Sequence, residues 1–279
     1  MKNIITLILA LFCLMLAGQA HAQVDVRVKP VRGQFLVGEN VQLELKITNH
    51  TDIPLALDNT PERAWLHFTV TRSGNSQPLP PKVIPHFSKT VINPGSAKKI
   101  VINLRPFFHF THDGVYRVVA TVRMPDMQTT YSSNRAHFTL SNGGSVKTFA
   151  IQSGGKRLKM HVKMMRAGEK DCLFGQVVNA DSGAVVGACF MGQFLNFMEP
   201  RIMMDRSQNL HVLCQSTPTY FTYSVMGKDG ARKSYQVLTR TGGPVELVTT
   251  GKGIRAIGLV PASKPKTDGS TPSHTTSDR

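Results

Sequence analysis

The sequence predicts an all-β protein, a β-sandwich followed by a second antiparallel β-meander domain. Three observations lead there. Apolar and polar residues alternate at period two along many short runs, as half-buried strands require. Those runs are separated by clusters such as Asp181-Ser182-Gly183 and Lys228-Asp229-Gly230, which form hairpins and turns. Only residues 194–198 offer room for a short helical turn, and their apolar density predicts burial. A chain of 279 residues accommodates two domains, and 41% hydrophobic content is enough for packed cores. The composition lacks a Gly at every third position, a heptad tract and a cysteine-dense framework, which excludes collagen, coiled-coil and disulfide-scaffold classes.

Residues 1–22 read as a signal peptide. Lys2 precedes an apolar run over 4–16, broken only by Thr6, and Ala20-His21-Ala22 supplies a small-x-small cleavage pattern before Gln23. The run is too short for a membrane span of about 20 residues, and no later segment approaches that length, so no transmembrane anchor is expected. Cys13 follows Phe12 rather than small residues, which argues against a lipid anchor. The expected location is therefore periplasmic, cell-surface or secreted. At the other end, residues 263–279 hold no large apolar side chain and read as a disordered tail.

Residues 23–144 form the first expected domain. Val24, Val26 and Val28 alternate with charged residues, and Val41, Leu43, Leu45 and Ile47 alternate with Gln42, Glu44, Lys46 and Thr48. Asn49-His50-Thr51-Asp52 is turn chemistry. Further strands are expected over 53–57, at Trp65, Phe68 and Val70, and over 99–104, 114–124 and 136–140. Four prolines between Pro78 and Pro85 predict a loop or irregular edge. About seven short strands at this spacing predict a β-sandwich.

Two motifs narrow this. Asp113-Gly114-Val115-Tyr116-Arg117-Val118-Val119-Ala120 resembles the tyrosine corner of immunoglobulin-like sandwiches. Phe35-Leu36-Val37-Gly38-Glu39-Asn40-Val41-Gln42-Leu43, followed by Ile47-Thr48-Asn49, resembles immunoglobulin-like modules of exported bacterial proteins. The resemblance covers about 24–142 and implies structural roles for Gly114 and Tyr116. It specifies fold rather than function, because this sandwich carries unrelated tasks. The Cys–Trp–Cys core of antibody domains is missing, which excludes a close antibody-type relative.

Residues 145–262 form the second expected domain, with strands over 157–165, 172–179, 185–191, 201–205, 210–215, 220–226, 232–238, 245–249 and 254–260. A faint repeat aligns Pro200-Arg201-Ile202-Met203-Met204 and Leu210-His211-Val212-Leu213 with Pro244-Val245-Glu246-Leu247-Val248 and Ile254-Arg255-Ala256-Ile257, at an offset of 44. The region over about 146–262 thus weakly resembles the meander repeats of β-propeller blades. It supplies only two to three units of about 40–50 residues, fewer than the ~4 blades of a closed propeller.

Three cysteines follow the leader: Cys172, Cys189 and Cys214. One reading makes all three small buried hydrophobes. The other pairs Cys172 with Cys189, because 172–178 and 185–191 form a hairpin around Asp181-Ser182-Gly183. Among candidates for chemistry, His109-Phe110-Thr111-His112-Asp113 is the densest: His109, His112 and Asp113 are weak candidates for metal ligation, although Asp113 and Gly114 already have a turn to make. His211 and Cys214 are three apart in a strand, which sends them to opposite faces and argues against a nucleophile–base pair. No nucleophile elbow, phosphate loop, dinucleotide fingerprint or His-Glu-x-x-His is present, so no enzyme, cofactor or firm metal site is expected.

The formal charge is +16; Lys2 of the leader contributes one, and the other +15 is spread: +6 over 24–144, +8 over 145–262 and +1 over the tail. Arg157, Lys159 and Lys163 share strand parity and are expected to form a basic stripe for an anionic surface. Aromatic content of 7% gives few base-stacking platforms, so nucleic acid is the weakest partner class. The expected function is an exported, non-catalytic binding or structural protein of the cell envelope, contacting an anionic polysaccharide or another envelope protein. The alternatives are a protease-inhibitor or chaperone-like module, and a hydrolase or metal-dependent enzyme.

Overall fold

Period-two alternation becomes strand after strand, and no helix occurs among the described residues. The computed structural model describes residues 23–60, 64–124, 129–251 and 253–262. The expected leader, 1–22, and the expected tail, 263–279, lie outside the described residues. The chain first lays down β1 (Val24–Pro30), β2 (Gln34–Leu36), β3 (Gln42–Asn49), β4 (Leu55–Leu57) and β5 (Leu66–Arg72). There follow β6 (Thr90–Ile92), β7 (Ala97–Asn103), β8 (Gly114–Arg123), β9 (Thr130–Ser132) and β10 (Ala136–Ser141).

These strands make two principal sheets. Sheet I has the order β1-β3-β7, and sheet II the order β2-β10-β8-β5 with β9 appended to β8. β2 runs parallel to β10, whereas the other pairs within these two sheets are antiparallel. The expected alternation of β3 is realised: Leu43, Leu45 and Ile47 face inward, fully buried, and meet Phe68, Val118 and Phe138 from sheet II in one apolar cluster. Burial of each such side chain is worth about 1.5–3 kcal/mol. The predicted turn after β3 is organised by buried Asn49, whose Nδ2 donates to the carbonyls of Ile53 (2.8 Å) and Ile92 (3.0 Å) while its Oδ1 accepts from the Thr51 amide. At the free edge of sheet I, the Asn134 side chain accepts from Val28 N at 2.9 Å and donates to Val28 O at 3.0 Å, standing in for a neighbouring strand. The short strands β2, β6 and β9 escape sequence reading because three residues are too few to show a period.

The second half continues with β11 (Gly144–Ser153), β12 (Lys156–Ala167), β13 (Lys170–Asn179) and β14 (Val185–Gln193), a four-stranded meander that forms sheet III. Then come β15 (Arg201–Met204), β16 (Leu210–Gln215), β17 (Tyr220–Met226), β18 (Arg232–Arg240), β19 (Glu246–Thr250), β20 (Gly253–Ile257) and β21 (Leu259–Pro261). Sheet IV has the order β15-β16-β17-β18-β21, and β19-β20 is a separate hairpin. The faint repeat at offset 44 is therefore a repeat of hairpins, β15–β16 and β19–β20. β11 is absent from the sequence reading because all its side chains but Ile151 are exposed or half-exposed, so it carries no alternation.

The four sheets form a propeller-like arrangement of small sheets. Sheets III and IV close on each other through Met160, Val162, Met191, Val212 and Met226. The far face of sheet IV is covered by Leu247 of β19. The far face of sheet III meets sheet II where Leu36 joins Phe174 and Ala188. Blade arithmetic based on the second half alone was thus too narrow, because the sheets of the first half join the same arrangement.

Two expectations are corrected. Cys172 and Cys189 are free, as is Cys214. The turn after Asn179 sets a register in which Cys172 faces Gln193 while Cys189 faces Gly175. That is three rungs of displacement, about 10 Å, beyond disulfide reach. Cys172 also joins the cluster on the outer face of sheet III, whereas Cys189 packs toward sheet IV. Residues 194–198 form a turn rather than a helix, with Phe194 buried but Phe197 80% exposed.

Candidate functional site

The structure separates the residues singled out in the sequence. Tyr116 is buried, and its hydroxyl donates to the His112 carbonyl at 2.8 Å, the backward bond that a tyrosine corner makes. Burial pushes the phenol above its ordinary range. Gly114 has φ +128°, and a side chain there would press on the Arg72 guanidinium. His109, His112 and Asp113 are all exposed on the segment entering β8, and no group of three ligating side chains gathers to hold a metal among the described residues. Of the three, His112 serves through its backbone, its carbonyl accepting the Tyr116 hydroxyl.

Arg157, Lys159 and Lys163 do share one face of β12, with half-buried His161 in the same row, while Leu158, Met160 and Val162 face the core. The row lies on the half of that sheet face beside β11. The other half carries Phe174 and Gln176, which meet the N-terminal sheets; Gln176 Nε2 donates to Val37 O at 2.8 Å. Arg157 is exposed and pairs with Asp181. Lys159 extends into solvent. Lys163 is half-buried and donates to Asn142 O at 2.8 Å, and burial lowers its pKa. Burial, together with Lys163 and Lys159, lowers the pKa of His161, whose Nδ1 lies 2.8 Å from Thr148 Oγ1.

His211 and Cys214 occupy opposite faces of β16, as alternation requires. Cys214 Sγ faces Thr222 Oγ1 at 3.0 Å, and burial pushes its thiol up to about 11. Buried His211 is fastened between Tyr223 Oη (2.6 Å) and Asp205 Oδ2 (3.1 Å), and Tyr223 donates to Ile254 O. Partial burial would raise the Asp205 carboxyl, but bonds from Asn209 and His211 outweigh it and hold the carboxyl below its usual range. With the thiol on the other face, this chain fastens β16 to β17 and β20.

A further site lies between the N-terminal and C-terminal sheet pairs. A cleft of about 530 Å³ is lined by Arg32, Glu39, Arg105, Phe190, Asp229 and Arg232, among others. Glu39 is buried, accepts from the Leu36 amide at 3.1 Å and pairs with Arg32. Burial raises its carboxyl above the ordinary range, against the pull of Arg32, the Leu36 amide and Arg232. Arg32 stacks over the Phe35 ring at 4.8 Å and also faces Phe174 and Phe190. Arg105 donates to Val186 O at 2.6 Å, and Arg232 to Phe190 O at 3.3 Å while lying over Tyr235. One wall is closed because Gly187 of β14 and Gly230 (φ +78°) of the β17–β18 turn let two backbones touch; a Cβ on Gly187 would overlap the Asp229 carbonyl, and one on Gly230 the main chain of Gly187. The three arginines are 73 and 127 positions apart in the chain and follow no common period, so only the fold brings them to one cleft. Their shared signal is weak: Arg32, Arg105 and Arg232 each border a turn.

No protein-family model matches the chain, and no curated protein is significantly similar to it. Among the described residues, no helix is long and apolar enough to cross a membrane.

Proposed function

We propose that the protein is an exported, non-catalytic binding protein of the cell envelope that contacts an anionic polysaccharide along the outer face of β12. The observation that carries this reading is the row of Arg157, Lys159 and Lys163 on the face opposite buried Leu158, Met160 and Val162. Alternate strand residues are about 6.6 Å apart, so the row offers repeated positive charge to an extended polyanion. Export rests on residues 1–22, with their positive start, apolar run and Ala20-His21-Ala22.

The immunoglobulin-like reading of 23–144 draws support from the Tyr116–His112 bond and from the strand orders β1-β3-β7 and β10-β8-β5, which parallel the A-B-E and G-F-C pairings of such sandwiches. This scaffold supplies position rather than chemistry.

The test is salt-dependent retention on immobilised heparin. The triple variant Arg157→Gln, Lys159→Gln, Lys163→Gln is expected to elute at clearly lower salt than the unmodified protein; equal retention would overturn the reading. A protease-inhibitor or chaperone-like role is favoured by one feature. β11 is an exposed ten-residue edge strand whose only charge is Lys147, open to strand addition. Recovery of a single protease or unfolded partner in place of polysaccharide would support that second reading.

A further inference from the structure

We infer that the cleft between the two sheet pairs binds a sugar-sized organic acid, held through its carboxylate by the guanidinium groups of Arg105 and Arg232. This inference is independent of the polymer contact along β12. Each guanidinium carries five N–H donors. Arg105 and Arg232 each spend one bond on a backbone carbonyl, Val186 O and Phe190 O respectively, which holds the side chain in place and leaves donor edges for a ligand. Both arginines line the same cleft. One comes from the N-terminal half and the other from β18, so an occupant would tie the two halves together.

The charge arithmetic of the cleft favours a single negative group. Arg32 and Glu39 cancel as a pair, and the flat face of Arg32 is taken by the Phe35 ring. Asp229 remains as the other carboxylate of the lining; its Oδ1 accepts from the Ala231 amide at 3.0 Å within its own turn. Arg105 and Arg232 against Asp229 leave one positive charge. Arg105 is partly desolvated, which lowers its pKa. Partly buried cations gain most from an anion that brings its own hydrogen-bond acceptors, and the planar fork of arginine matches a carboxylate in two-point fashion. The volume of about 530 Å³ falls within the size range of small-molecule sites and suits one or two sugar rings. The polar rim of Asn40 and Gln42 offers partners for hydroxyl groups, and Phe190 an apolar wall.

Isothermal titration calorimetry on the full chain, without its leader, tests this with glucuronate, digalacturonate, glucose, sulfate and inorganic phosphate as probes. Saturable binding of glucuronate or digalacturonate is expected, with none of glucose. Arg105→Gln and Arg232→Gln are each expected to weaken it at least about tenfold, as loss of a hydrogen bond to a charged group implies. Arg232→Lys keeps the charge without the fork and is expected to fall between, which separates recognition from loss of fold; unchanged thermal midpoints in all three variants provide the same control. Absence of saturable uronate binding would overturn the inference, as would equal affinity in both glutamine variants. Tighter binding of sulfate or phosphate than of either uronate would overturn the assignment of a carboxylate. The β12 triple variant is expected to bind uronate normally, so failure of the heparin test and failure of this one are distinguishable.

Discussion

The two halves of the molecule solve the same packing problem with opposite materials. Sheets I and II are held apart by interlocked rings: Phe138 stacks on Tyr116 at 5.4 Å and meets Phe35 and Phe110 edge-on, while Trp65 and Phe68 share Phe87. Sheets III and IV hold methionine and cysteine in their shared core, and glycines allow close approach: a Cβ on Gly175 would overlap Met226 Sδ, and one on Gly192 would overlap Thr222 Oγ1. Rings fix an intersheet distance by bulk and geometry. Methionine adapts to what glycine leaves open. A void should therefore hurt the first half most, and added volume the second.

The largest effect expected is from Phe138→Ala, which removes a ring at the centre of the aromatic cluster. A loss of about 3–5 kcal/mol is expected, measured by denaturant unfolding; a loss under about 1 kcal/mol would break the contrast. Gly192→Ala, which adds a single carbon, is expected to cost about 1–3 kcal/mol by overpacking. An equivalent addition at an exposed turn glycine, Gly154, is the comparison, with a smaller loss expected there. Tyr116→Phe keeps the ring and loses only the bond to His112 O, for an expected cost of about 1 kcal/mol.

Acid separates the halves in another way. Asp205 has a folded pKa below its unfolded value of about 3.9. Its contribution to stability is present above that value and lost as pH falls through the folded pKa. Asp205→Asn should flatten the acid limb of the stability profile; an unchanged limb would remove Asp205 from it. The smallest effect concerns the thiols. Burial pushes Cys189 up to about 12 and Cys214 to about 11, so alkylation of the native protein at pH 8 should be slow at both. Reduction should leave mass and thermal midpoint unchanged. A two-dalton mass difference would show a bridge that the hairpin register forbids.

Strand-rich architecture was legible wherever one strand face was buried and the other wet, as in β3 and β12. It was illegible in β11, which is exposed on nearly every side chain, and in the three-residue strands β2, β6 and β9. Hairpin register was not readable either: Asp181-Ser182-Gly183 announced a turn, but the position of Cys189 opposite Gly175 depends on which residues of the turn leave the ladder. Strand parity placed Arg157, Lys159 and Lys163 on one face, yet could not tell that Lys163 would be half-buried beside the N-terminal sheets. The arginine cleft was beyond reach for a simpler reason. Its members come from sheets that meet only in three dimensions, and the one recognisable companion, Glu39, sat inside a motif read for fold.

The Asn134 amide that caps the edge of β1 at Val28 reaches across 106 residues of chain. A strand edge left open is a template for pairing with other chains. During synthesis, β1 emerges long before residue 134 and has only β3 as a hydrogen-bonded neighbour in its sheet. The interval between those two events is the period in which this protein is most open to mispairing with its own copies. An Asn134→Ala chain, native in fold but never capped at Val28, should lengthen the interval indefinitely and aggregate in a concentration-dependent manner.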